Sequence, residues 1–181
     1  MGTLNVVTYG NPVLRQKAEE ISRIDEEVIK IIEDMKETLY TQKGVGLAAN
    51  QVGIPKRILI VDLPQEKGAR RIILLNPKII FYSRDKNCAE EGCLSFPEVW
   101  GNVERSNKIR VKGIVFSGKK ALKTTVIEAE DMFARVLQHE IDHLDGKLFI
   151  DYFSKEDMEK NREKLEAILN ANKEKLGKVE L

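Results

Sequence analysis

The chain has 181 residues, of which 30 are basic and 29 acidic, so its net charge at neutral pH is only +1. This length suits one domain with a substantial core, and the balanced charge gives no general affinity for DNA or for an anionic membrane. The two cysteines do not make a disulfide framework, and no apolar run approaches the length of a membrane span. Because the start carries no signal or transit pattern, we expect a cytoplasmic protein that forms a single domain over residues 1–181.

The first predicted helix covers residues 25–41. Its apolar residues recur at helical spacing, Asp25 is a suitable N-cap, and Lys43-Gly44 is a natural stop. The following segment, 44–53, is rich in glycine and alanine, so another group can approach its backbone closely. It lacks the further residues of a phosphate-binding loop, and plain close packing remains an equal interpretation.

Five segments rich in aliphatic and β-branched residues predict strands. They are 57–63, 72–82, 99–105, 108–116 and 122–127, with Ser117-Gly118-Lys119 as the hairpin turn between the last two. Pro77 predicts a bend or an edge position in the second strand. Cys93 is expected in a loop between two of these strands, and Cys88 is expected to be an ordinary free thiol.

Residues 128–144 predict a central helix, because apolar side chains recur at roughly helical spacing and acidic residues favour its N-terminus. This helix carries the only two histidines, His139 and His143, four residues apart and therefore on one face. Both imidazoles can reach one metal ion, while Glu140 borders the site and can handle the proton of a bound water. The spacing indicates a metal-dependent hydrolase.

A last helix is predicted at about 154–175, with Ser154 as its N-cap and a mixed, charged face toward solvent. No internal repeat, low-complexity tract or domain linker interrupts the chain.

Two histidines need a third metal ligand, and three candidates follow from known patterns. One zinc-protease pattern requires a third histidine where this chain has Phe149, so that completion fails. Another pattern recruits a later glutamate, and Glu163 lies at a suitable distance but within a run of alternating charges typical of a solvated face. The third candidate is Cys93, whose thiolate with two imidazoles would leave a fourth position for water. Spacing alone favours Cys93 only slightly.

Three short motifs, in this order, resemble those of the peptide deformylase family of bacterial type. They are G-V-G-L-A-A-N-Q at 44–51, E-G-C-L-S at 91–95 and Q-H-E-I-D-H at 138–143. Each motif alone is weakly to moderately specific, but the three in order are highly specific. The similarity runs from about residue 9 to residue 153.

The resemblance implies a role for each matching residue. Cys93, His139 and His143 would be the metal ligands, and Glu140 would move the proton of the attacking water. The Gln51 carboxamide and the backbone N–H of Leu94 would stabilise the oxyanion that forms on the formyl group. The peptide would lie beside the glycine-rich segment like an added strand. The implied substrate-binding residues are Val45, Gly46, Glu91, Gly92, Met132 and Val136.

The resemblance also implies the cofactor and the partners. One divalent ion is expected, and Fe2+ is the family's usual ion, although Zn2+, Ni2+ or Co2+ can substitute; affinity order and a sulfur ligand would favour zinc. The substrates would be N-formylmethionyl nascent peptides, with a transient ribosome contact left open. No partnership with DNA or a membrane is expected.

Three positions bear on the details of this assignment. Arg135 is polar where relatives are often apolar, and Trp100 stands where some relatives carry arginine. Asp142 is a candidate support for the metal ligands, paired with Arg105, although a surface ion pair is nearly as good an interpretation.

The expected fold is α+β, in which small, mostly antiparallel sheets surround the central helix and are flanked by an N-terminal and a C-terminal helix. The leading hypothesis is a hydrolase that releases formate from the initiator methionine. The alternatives are a metalloprotease with a third ligand other than cysteine, and a metal-binding module without catalytic activity.

Overall fold

The structure is a computed structural model that describes residues 2–64, 70–118 and 123–177. These ranges contain three helices: α1 (Glu26–Gln42), α2 (Asp131–Leu144) and α3 (Lys155–Leu176). They also contain seven strands: β1 (Gly46–Ala48), β2 (Ile58–Leu63), β3 (Arg70–Tyr82), β4 (Lys86–Cys93), β5 (Phe96–Ser106), β6 (Lys108–Val115) and β7 (Thr124–Glu130). The predicted α+β class is confirmed.

The strands form two antiparallel sheets. A five-stranded sheet has the order β1-β2-β3-β6-β7, and β4 and β5 form a separate hairpin. Strand β2 is buried on both faces, with Leu59 and Val61 in the cluster that includes α2, and Ile58 and Ile60 in the cluster that includes α1. The large sheet therefore lies between α1 and α2.

The ends of α1 and α3 follow the predicted capping residues. The Asp25 carboxylate accepts the N–H of Val28 at 3.0 Å, and the Ser154 hydroxyl accepts the N–H of Asp157 at 3.0 Å. The left-handed residue that ends α1 is Lys43, with φ of 53°, and not the glycine after it.

The predicted start of α2 was wrong. Residues 128–130 belong to β7, which pairs with β6 so that Ala129 lies opposite Ile109. Ala129 is buried while Glu128 and Glu130 are exposed, so these residues alternate like a strand. The chain turns from β7 into α2 at Asp131, where φ is 52°.

Two expectations about the strands also changed. Cys93 is the last residue of β4 and does not lie in a loop; the strand is mostly polar, and its pairing with β5 holds it in place. The pairing of β3 with β6 shifts register between Leu75 and Lys78, so Pro77 interrupts the regular pairing, and the strand is internal to the sheet and not at its edge. Lys119 of the predicted hairpin turn and the start of the predicted strand 122–127 lie outside the described residues.

Helix α2 is the element around which the site is built. Its apolar side packs under the large sheet through Ala134, Leu137, Ile141 and Leu144. Its other side carries the histidines and faces the β4–β5 hairpin and the glycine-rich segment. None of the described helices combines the length and apolar composition needed to cross a bilayer.

Candidate active site

The two histidines of α2 meet Cys93 at the end of β4. The rings of His139 and His143 have centroids 5.0 Å apart, and the Sγ atom of Cys93 lies 3.2 Å from Nε2 of His143. One ligand atom from each of the three residues lies within 4.8 Å of the others. Both histidines are buried, and Cys93 is partly buried.

This donor set fits a divalent metal ion. A single ion at about 2.0–2.3 Å from sulfur and nitrogen donors can bridge atoms with this spacing, and three protein ligands leave a position for water. Thiolate and imidazole donors suit zinc and iron better than calcium or magnesium. Burial and the neighbouring His139 hold the pKa of His143 well below its ordinary range, which keeps this imidazole neutral.

Glu91 orients His139. The Nδ1 atom of His139 lies 2.9 Å from Oε2 of Glu91, which leaves Nε2 to face the cluster. Arg105 donates to both Glu91 oxygens at 3.0 Å, and Arg135 donates to one of them at 2.7 Å. Burial opposes the charged form of Glu91, but hydrogen bonds from His139 and Arg105 outweigh it and lower the pKa of this carboxyl to about 2.

This network changes the interpretation of Glu91 and Arg135. Glu91 was expected among the substrate-binding residues; it lines the cavity, and its carboxylate is buried and bound by three side chains. Arg135 is buried too; it lines the cavity wall and also donates to the backbone carbonyls of Val103 and Asn87. Sequence reasoning missed this network, since no local pattern links an acid on β4 to cations on β5 and α2.

Asp142 is paired with Arg105, as suspected from the sequence. The side chains of Arg105 and Asp142 are 5% and 14% exposed, so the pair is not a surface ion pair. Arg105 thereby connects Asp142 on α2 to Glu91 on β4, and through Glu91 to His139.

The Glu140 carboxylate lies in the site without a fixed partner for one of its oxygens. Its Oε2 atom is buried and has no hydrogen-bond partner among the described residues. Burial raises the pKa of this carboxyl to about 7. A carboxyl with its pKa near neutrality is suited both to accept and to return a proton.

Glu140 occupies the space that a side chain at position 46 would need. A Cβ atom added at Gly46 would lie 2.3 Å from Oε1 of Glu140 and 2.9 Å from the Val136 side chain. The small residue therefore permits close packing of β1 against α2, one of the two interpretations that the sequence left open.

Gln51 reaches the metal-ligand cluster from the glycine-rich segment. Its Oε1 atom accepts the N–H of Ala48 at 2.8 Å, and its Nε2 atom lies 3.3 Å from Sγ of Cys93. Leu94 directly follows Cys93 in the turn of the β4–β5 hairpin. Both residues line the same cavity as Cys93.

A cavity of about 540 Å³ opens beside these groups, a volume typical of ligand sites. All six residues expected to bind substrate lie in its wall, namely Val45, Gly46, Glu91, Gly92, Met132 and Val136. Trp100 also lines it and is 52% exposed. Strand β1 is at the end of the strand order of its sheet, and its first residue, Gly46, lines the cavity.

The other candidate ligands lie elsewhere. Glu163 is exposed on α3 and is absent from the group of ligand atoms around the histidines. Phe149 is buried, with its ring 5.6 Å from that of His139. Cys88 is an exposed free thiol.

Comparisons with known proteins agree with this geometry. Residues 3–159 match the family model described as polypeptide deformylase. The peptide deformylase of Alkalilimnicola ehrlichii is 37% identical over 180 residues, which cover 98% of this chain and 97% of that protein. The peptide deformylase of Syntrophobacter fumaroxidans is 45% identical over 152 residues, which cover 83% of this chain and 86% of that protein.

Solved structures are similar as well. The crystal structure of peptide deformylase from Ehrlichia chaffeensis superposes with a TM-score of 0.83 at 34% identity, covering 96% of this chain and 99% of that one. The chain therefore belongs to the polypeptide deformylase family, metal-dependent hydrolases that remove the N-formyl group from nascent peptides.

Proposed function

We propose that Cys93, His139 and His143 hold the divalent ion at which this enzyme hydrolyses the formyl group of N-formylmethionyl peptides. The observation that carries the proposal is the convergence of one sulfur and two imidazoles beside the buried Glu140, at the side of an open groove. By resemblance the ion is Fe2+, with Zn2+, Ni2+ or Co2+ as substitutes. When bound, such an ion acts as a Lewis acid and lowers the pKa of its water toward neutrality.

Glu140 is the proton carrier in this proposal. Its carboxylate accepts the proton of the attacking water and passes it to the amine that leaves as the C–N bond breaks. Burial supports this role, because it brings the pKa of Glu140 close to neutrality. The products are formate and a free N-terminal methionine.

Gln51 and Leu94 stabilise the negative charge that develops on the formyl oxygen. The Nε2 atom of Gln51 and the backbone N–H of Leu94 are the proposed donors, and both residues line the groove next to Cys93. Loss of one such donor typically costs about 3 kcal/mol of transition-state stabilisation.

Glu91 acts on the reaction through His139. By accepting a hydrogen bond from Nδ1, its carboxylate fixes the tautomer in which Nε2 is free to bind the ion. Arg105 and Arg135 hold Glu91 in the charged form that this role requires. We therefore assign Glu91 to ligand orientation, while its backbone and that of Gly92 line the peptide groove.

The peptide lies along β1 as an added strand. Strand β1 is terminal in its sheet and Val45 and Gly46 line the groove, so main-chain hydrogen bonds to this segment bind the peptide irrespective of its sequence. The methionine side chain occupies the apolar part of the cavity formed with Met132 and Val136.

We also propose where in the cell this activity takes place. The whole chain acts as one domain on nascent peptides in the cytoplasm, in transient contact with the ribosome. A free N-terminal methionine is the group that this chemistry delivers to later processing.

The experiment is formate detection with formyl-Met-Ala-Ser as substrate, with peptide products separated in parallel. We expect formate and Met-Ala-Ser in equal amounts. Cleavage of an internal peptide bond without formate would support a metalloprotease. Stoichiometric metal without either activity would support a binding module.

A further inference from the structure

Helix α3 holds a strained segment of the groove wall. Along β4 the pairing moves from Gly92 to Cys93, while along β5 it jumps from Trp100 to Phe96. The three residues between them, 97–99, form a bulge, and Glu98 within it has a φ of 61°. A bulge beside a site redirects side chains, and a non-glycine residue with positive φ persists only when its surroundings hold it.

Two side chains of α3 hold this segment in place by hydrogen bonds to its backbone. The Nδ2 atom of Asn161 donates to the carbonyl of Trp100 at 2.8 Å, and the Nζ atom of Lys164 donates to the carbonyl of Glu98 at 2.7 Å. Asn161 is 2% exposed, so its amide is fixed in place, whereas Lys164 is exposed.

The held segment presents Trp100 to the groove. The indole ring covers Gly92, since a Cβ added there would lie 2.6 Å from Cζ3 of Trp100. Both residues line the cavity that also contains Cys93 and Glu140. Trp100 therefore forms part of the wall at the end of β4 where the metal-ligand cluster begins.

We propose that Asn161 is a positioning residue for peptide binding: by holding the carbonyl of Trp100, it fixes the indole as the surface on which peptide residues beyond the methionine pack. This inference rests on the proposed peptide groove and adds a specificity element outside the reacting centre. The competing interpretation is that α3 only covers the outer edge of β5, which would affect stability but not recognition.

Asn172 provides a matched control on the same helix. Its Nδ2 atom donates to the carbonyl of Tyr9 at 2.7 Å and to the Thr8 hydroxyl at 2.8 Å, and the residue is 7% exposed. Asn172 thus makes the same kind of contact as Asn161 but with a segment that does not line the cavity.

The first measurement compares KM and kcat for N-formylmethionine amide and for formyl-Met-Ala-Ser. In Asn161→Ala we expect KM for the tripeptide to rise about five-fold, the equivalent of one net hydrogen bond. KM for the amide and both kcat values should stay within about two-fold. Asn172→Ala should leave both KM values at the wild-type level.

The second measurement uses the fact that Trp100 is the only tryptophan in the chain. Asn161→Ala should shift the indole emission to longer wavelength and increase its quenching by acrylamide, while Asn172→Ala should not. Trp100→Ala should raise KM for the tripeptide as Asn161→Ala does, and the double variant should be no worse than Trp100→Ala alone.

Additive KM effects in the double variant, or equal effects of the two asparagine variants, would overturn the inference. If Asn161→Ala does not fold, Lys164→Met replaces it in the test. KM for the tripeptide should then rise about two-fold, and an unchanged KM would count against the inference.

Wild-type activity on the amide tests the proposed function by itself. A wild type inactive on both substrates would refute that function, whereas an active wild type with an unaltered Asn161→Ala variant refutes only the inference.

Discussion

Helices α2 and α3 are both rich in charged and polar residues, but they use them differently. On α2, Arg135 and His139 are buried and contact Glu91 of β4, and Asp142 pairs with Arg105 of β5. On α3 most charged side chains are exposed, and an ion pair such as Arg162–Glu159 joins two exposed side chains. The same residue types thus build a reaction site on one helix and a solvated face on the other.

Two glutamates illustrate what the difference teaches. Glu91 and Glu163 were each interpreted from their position in the sequence, one as a substrate contact and the other as a weak candidate ligand. The structure buries Glu91 between two arginines and His139 and leaves Glu163 on the surface of α3. Burial and partners, more than residue type, decide whether a carboxylate takes part in the chemistry.

The largest loss of activity is expected for a buried residue of α2, Glu140. Glu140→Gln keeps the size of the side chain but cannot accept a proton, so kcat for formyl-Met-Ala-Ser should fall about a hundred- to ten-thousand-fold. Formate release measures this loss, and elemental analysis should find the metal content of the wild type. A variant with near-normal kcat would remove Glu140 from the proposed mechanism.

A smaller effect on activity, with a clear loss of stability, is expected for Glu91→Gln. The buried Arg135 would lose the carboxylate that compensates its charge, and Arg105 would keep only Asp142; breaking such a buried pair typically costs about 3–5 kcal/mol of unfolding free energy. His139 would also lose its charged hydrogen-bond acceptor, so metal affinity should fall about ten- to a hundred-fold.

Glu163→Gln is the matched control on α3, because it makes the same chemical change at an exposed position. Its unfolding free energy should stay within about 0.5 kcal/mol of the wild type, with unaltered metal affinity. Denaturant unfolding and metal titration compare the two variants, and equal losses in both would contradict the distinction drawn between the helices.

The smallest effect is expected at the start of α3. Ser154→Ala removes the side chain that caps the N–H of Asp157 and should cost about 1 kcal/mol of unfolding free energy. Thermal unfolding measures the change, and activity on N-formylmethionine amide should be retained. A loss of metal together with the cap would show that α3 and the metal-ligand cluster are more tightly coupled than their contacts indicate.

The sequence was most informative where the chemistry is local. His139, Glu140 and His143 lie within one helical turn, so their common placement followed from helix geometry. The caps Asp25 and Ser154 were predictable for the same reason, because each acts on backbone groups only three residues away.

Long-range features could not be predicted in the same way. The acidic residues before α2 resembled a helix N-terminus, but cross-strand pairing with β6 made them part of β7. The three partners of Glu91 lie 14, 44 and 48 residues away, and only the packing of the β4–β5 hairpin against α2 brings them together. Cys93 as third ligand drew mainly on the family motif, since spacing favoured it only slightly.

The central claim is that Cys93 completes the metal site begun by the two histidines of α2. The most direct test is the metal content per chain, measured after anaerobic purification and dialysis against a chelator, for the wild type, Cys93→Ser and Cys88→Ser. We expect about one ion per chain in the wild type and in Cys88→Ser, whose altered thiol is exposed and lies outside the cluster. Cys93→Ser should retain less metal than the wild type, because the affinity should fall by more than the ten- to hundred-fold that is typical of losing a supporting residue. Wild-type metal content and activity in Cys93→Ser would contradict the claim.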